Sequence, residues 1–103
     1  MSTIKILYTG RHPEILETVV RLINQNENWE GYGAAGNDEA MRLFRQIEFE
    51  IVLLGCGIPA EEETHLNEVF ASHRPKCKII QHYGGGSGLL SNEILAALSD
   101  KYA

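Results

Sequence analysis

The nine residues Ile51 to Pro59, IVLLGCGIP, constrain the fold more than any other stretch. Four consecutive large apolar residues read as a strand buried on both faces, because a strand with one wet face alternates. The glycines and proline that follow make a sharp loop. Ile4 to Tyr8, IKILY, is a second buried run, and Cys77 to His82, CKIIQH, is another strand. Trp29 to Ala35, WEGYGAA, is a weaker strand whose two glycines suit a sheet edge.

Helical periodicity fills the gaps between these runs. Pro13 suits the first position of a helix, and Ile15, Leu16, Val19, Leu22 and Ile23 recur at helical spacing over about residues 13 to 25. Asn37 reads as the N-cap of a second helix, with Asp38 and Glu39 in its first turn and an apolar face of Ala40, Met41, Leu43, Phe44 and Ile47. Glu61, Glu62 and Glu63 open a third helix with a narrow stripe of Leu66, Val69 and Phe70, and Pro75 lies beyond its end. Ser91 caps a last helix in which Ile94, Leu95, Leu98 and Tyr102 face inward, and Leu89 and Leu90 add a very short fifth strand. Alternation of strand and helix predicts a three-layer α/β fold with a parallel sheet. Strands one and three are the most apolar and therefore central, which gives the order 2-1-3-4.

The 103 residues suit one domain spanning residues 1–103. Hydrophobic content of 44% and charged content of 22% are those of an ordinary globular chain. A net charge of −5 argues against nucleic acid as a partner. No apolar run approaches the roughly 20 residues that cross a bilayer, so no membrane role is expected. The N-terminus runs straight into a strand without the layout of a signal peptide. Cys56 and Cys77 lack metal-type spacing, and a cytoplasmic protein with reduced thiols is the simplest expectation.

In a parallel sheet, ligands gather at the carboxyl ends of the strands. Several side chains fall at that edge. Arg11 and His12 follow strand one, and Arg11 is either a solvated loop residue or a cation that meets an anion. Gly84, Gly85, Gly86, Ser87 and Gly88 follow strand four. They read as permissive chain or, less simply, as a turn offering backbone N–H groups to an anion, although no Walker lysine is present. His12, Cys56 and His82 share the edge, but three ligands without a short paired motif are more simply structural, and no metal is assigned. Cys56 reads as an inert thiol unless His82 or Arg11 activates it. His65 and His73 are surface residues of the third helix, and Glu61 to Glu63 complement its dipole.

The segments Lys5 to Pro13, KILYTGRHP, Trp29 to Phe44, WEGYGAAGNDEAMRLF, and Glu50 to Pro59, EIVLLGCGIP, together resemble response-regulator receiver domains. Gly88 to Leu98, GLLSNEILAAL, is similar to the last strand and helix of that family, while the chain before it is too short for the family's fourth helix. The resemblance implies a flavodoxin-like sheet and a role in signal transduction. It aligns Gly10 and Arg11 with the acidic pair that holds Mg²⁺ and Gly55 with the phosphoacceptor aspartate. Tyr83 aligns with the switch hydroxyl, and no residue matches the family's lysine. Aspartyl phosphorylation needs a carboxylate nucleophile and carboxylates for a hard cation. The implied function is a pseudo-receiver: not an enzyme, without a cofactor, acting through protein partners and able to form a homodimer. Two alternatives are a phosphocarrier similar to sugar-phosphotransferase IIB proteins, in which only His12 could carry phosphate, and a small-anion or nucleotide sensor built on Arg11 and the glycine run.

Overall fold

Strands β1 (Ile4–Thr9), β2 (Trp29–Ala34), β3 (Ile51–Leu54) and β4 (Lys78–Gln81) form one parallel sheet in the order β2-β1-β3-β4. Helices α1 (Pro13–Asn24), α2 (Asn37–Gln46) and α3 (Ala60–His73) connect them. The computed structural model describes residues 3–55, 57–75 and 77–81, together with residues 94 and 96. The expected fifth strand at Leu89 and Leu90, the Ser91 cap, the missing fourth helix and most of the last helix lie outside the described residues. Ile94 and Ala96 are helical, as expected.

Side-chain parity along the strands divides the core into two layers. Ile6, Tyr8, Ile51 and Leu53 face Val19 and Ile23 of α1, and Ile94 is buried in the same cluster. Leu7, Val52 and Leu54 face Ala40 and Phe44 of α2 and Leu66 and Phe70 of α3. Both faces of β1 and β3 are therefore covered, which is why their sequences run apolar without alternation. In the second layer Phe44 packs on Phe70 at 4.4 Å between centroids, and Phe49, from the α2–β3 loop, meets Tyr32 edge-on at 5.4 Å.

Strand β2 does lie at an edge, but its glycines have a more specific cause than edge tolerance. A Cβ on Gly33 would stand 2.7 Å from Leu16 Cδ2 and 3.0 Å from Val20 Cγ2, and one on Gly31 would stand 2.9 Å from Ile23 Cγ2. Their absence lets α1 lie directly on β2. The Asn24 carboxamide then covers the outer side of that strand, accepting the Gly31 N–H at 2.8 Å and donating to its carbonyl at 3.4 Å. Two hydrogen bonds from one side chain thus stand in for part of a neighbouring strand.

Two local expectations are corrected. Gly36, with extended backbone, is the N-cap of α2, and its carbonyl accepts the Ala40 N–H at 3.0 Å; Asn37 is the first helical residue. Strand β4 begins at Lys78, not Cys77. The Cys77 N–H closes the turn after α3 by donating to the Arg74 carbonyl at 3.0 Å, and the ladder to β3 starts with Lys78 N–H to the Glu50 carbonyl at 3.0 Å.

Candidate functional site at the carboxyl edge of the sheet

Three segments meet where β1, β2 and β3 end. The Gly10 N–H donates to the Ala34 carbonyl at 3.3 Å, and the Gly55 N–H to the Thr9 carbonyl at 2.7 Å, so the ladder continues one residue past each strand. Both glycines are buried. The chain then turns through Gly57, whose φ of 85° is left-handed and favours glycine. A Cβ there would also stand 3.0 Å from Arg11 Cβ and 3.0 Å from His12 Nε2, so the β3–α3 loop rests against the β1–α1 loop.

Arg11 settles into this junction and not into solvent. One guanidinium nitrogen, Nη2, donates to Asn37 Oδ1 at 2.5 Å and Glu62 Oε1 at 3.0 Å, while Nη1 reaches the Ala35 carbonyl at 3.3 Å. Asn37 Nδ2 in turn donates to the same Glu62 oxygen at 2.7 Å. Residues from the β1–α1 loop, the β2–α2 loop, α2 and the first turn of α3 are thereby tied into one cluster. The ion pair is partly shielded, with Arg11 23% and Glu62 42% exposed, so it is screened less than a fully solvated pair.

Tyr8 occupies the space between the ends of β1 and β3. Its side chain is buried at 1% exposure. A Cβ built on Gly55 would lie 2.6 Å from Tyr8 Cε2 and nearer still to Cζ and Oη; one on Gly10 would lie 3.2 Å from Oη. The phenol thus fills the place that a side chain at position 55 would take.

His12 is exposed and stands at the N-cap of α1, contributing no side-chain cap. Arg11, His12, Gly10 and Gly55 are therefore brought to one edge. Cys56, His82, Gly84, Gly85, Gly86 and Ser87 lie outside the described residues. Among the described residues, no group of three or more His, Cys, Asp or Glu side chains is placed to hold a metal ion. His65 and His73 are exposed on α3. No helix of the described residues is long and apolar enough to cross a membrane.

Three contributors to this edge do more than the sequence alone suggests: Asn37 bridges Arg11 and Glu62 in place of capping, Glu62 in the acidic first turn of α3 also pairs with Arg11, and Tyr8 in its buried strand also reaches the glycine at position 55. For Tyr8 the sequence does carry a signal: strand parity puts positions 8 and 55 on one sheet face, and a large aromatic beside glycine is a volume-matched pair.

No family model matches the chain, and no curated protein matches it. Solved structures do. A CheY-like response regulator receiver domain protein from Methanospirillum hungatei JF-1 is similar with a TM-score of 0.71 and 27% identity, covering 93% of this chain and 76% of that one. The signal receiver domain of an HD domain-containing protein from Pseudomonas fluorescens Pf-5 gives 0.74 and 17%, covering 97% and 94%. The receiver domain of the stress response regulator RcsB from Escherichia coli gives 0.64 and 15%, covering 97% and 76%. A parallel sheet ordered 2-1-3-4, helices on both faces and these neighbours together give the chain the flavodoxin-like fold of CheY-like receiver domains.

Proposed function

We propose that this chain is a pseudo-receiver: a receiver-like signalling module that takes no phosphoryl group on an aspartate, catalyses no reaction, and acts by binding protein partners. The observation that carries this reading is the chemistry of the carboxyl edge. The positions that the resemblance aligns with the acidic pair and phosphoacceptor are Gly10, Arg11 and Gly55. None offers a carboxylate oxygen to a phosphorus atom or to a hard divalent cation. The carboxylate joined to this edge, Glu62, is already paired with the Arg11 guanidinium at 3.0 Å. A guanidinium fixed there repels Mg²⁺, so the residues present do not fit that ion.

The same observation weighs against an anion sensor centred on Arg11. Its donors are turned toward Asn37, Glu62 and Ala35, and an incoming phosphate would compete with an internal carboxylate. Among the described residues this edge is a surface of loops and helix starts, which suits recognition by another protein, a second copy of the chain included.

The test is incubation of the purified chain with acetyl phosphate and Mg²⁺ followed by intact-mass measurement. The expected result is an unchanged mass. A phosphoadduct that hydroxylamine removes identifies an acyl phosphate and overturns the proposal.

A further inference from the structure

We infer that Tyr8 is a resident plug: its ring fills the space at position 55 and holds the β1 and β3 ends in one setting without any ligand. The inference deepens the pseudo-receiver reading and rests on it for its meaning in signalling, whereas its test rests on packing alone.

Conformation does not explain the glycine at 55. Its φ lies outside the left-handed region, where Gly57 alone among the described glycines sits, so any L-residue could adopt its backbone. Hydrogen bonding does not explain it either, since the Gly55 N–H donation to Thr9 would survive a side chain. What forbids a Cβ is the Tyr8 ring at 2.6 Å and less. Real Cβ atoms do not approach so closely, so the buried ring or the strand end would have to shift. Tyr8 is 1% exposed and belongs to the layer built by Ile6, Val19, Ile23 and Leu53. Positions 8 and 55 are therefore one unit, in which a large residue on β1 requires none on β3.

The consequence is a closed site, not a vacated one. Where a carboxylate would await a phosphoryl group, an aromatic ring is already packed. Gly55 rests against that ring, and the left-handed Gly57 ahead of α3 rests against Arg11 and His12. A surface fixed in this manner presents one shape to a partner at all times.

The experiment is Gly55→Ala in three backgrounds, read by thermal unfolding. With Tyr8 intact, the added methyl is expected to lower Tm by roughly 5 °C or more, as overpacking does in a domain of this size. Tyr8→Phe keeps Cζ and Cε2 against position 55, so the same loss is expected. With Tyr8→Val the methyl has room, and the loss is expected to shrink to about 2 °C or less. An equal loss in all three backgrounds overturns the inference. Hydrogen exchange decides the matter even if a Gly55→Ala chain does not fold. The Gly55 amide is expected to exchange about tenfold faster in Tyr8→Val, relative to the Leu7 and Val52 amides of the same chain, and to be unchanged in Tyr8→Phe. A Gly55 amide that merely tracks Leu7 and Val52 overturns the plug. Neither readout depends on phosphate, so the result stands apart from the acetyl phosphate test.

Discussion

Arg11 shows how one side chain can give an edge a character that its neighbours do not have. A guanidinium is planar, permanently charged and rich in donors, so it can bridge several acceptors in fixed geometry. Here it spans Asn37, Glu62 and the Ala35 carbonyl. Arg11→Ala is expected to destabilise the domain by about 1–2 kcal/mol, because it removes a partly shielded ion pair and leaves Asn37 and Glu62 with fewer partners. Glu62→Gln keeps a hydrogen-bond acceptor and should cost less than about 1 kcal/mol. A double-mutant cycle by urea unfolding checks this: coupling between the two positions that falls as salt rises is the expected outcome, and purely additive losses contradict the bridge.

Helix α1 and strand β2 illustrate how elements are fitted to each other. Strand β2 has weak intrinsic propensity because Gly31 and Gly33 supply no side chain to the sheet surface. That deficit is used by α1, whose Leu16, Val20 and Ile23 enter the space the glycines leave. Gly33→Ala is therefore expected to destabilise by about 1–3 kcal/mol, since Leu16 and Val20 must both move. Gly36→Ala, where a Cβ would meet nothing within 4 Å, should cost less than about 1 kcal/mol. Guanidinium unfolding of the pair checks the contrast; similar losses at both sites would mean that α1 does not sit on β2 as described. Helix α3 is held differently, by buried Leu66 and Phe70 with Val69 partly buried beside them.

Among the described residues, two core layers lie on either side of one sheet. A domain of this size is stable by about 5–15 kcal/mol. Phe70 is fully buried against Phe44 and is the largest residue that α3 contributes. Phe70→Ala is expected to lose about 3–5 kcal/mol, a substantial share of the total, and to lower the denaturant midpoint with little change in slope. A much smaller loss would show that α3 is not packed through Phe44.

Much of this fold is legible in the amino-acid sequence alone. Buried runs at Ile4 to Tyr8 and Ile51 to Leu54 stated that both sheet faces are covered, and their alternation with amphipathic helices fixed a parallel sheet and its order. Those properties are periodic in the chain, so local sequence carries them. The residues at the carboxyl edge could also be named, because strand ends locate it. How they meet could not. Whether Arg11 turns to solvent or to Glu62 depends on residues 51 positions away in the chain. Glycine at 55 could mean a turn, a lost carboxylate or a volume partner, and only the approach of the Tyr8 ring distinguishes these. Distance along the chain carries no information about such contacts; close packing across the sheet creates them.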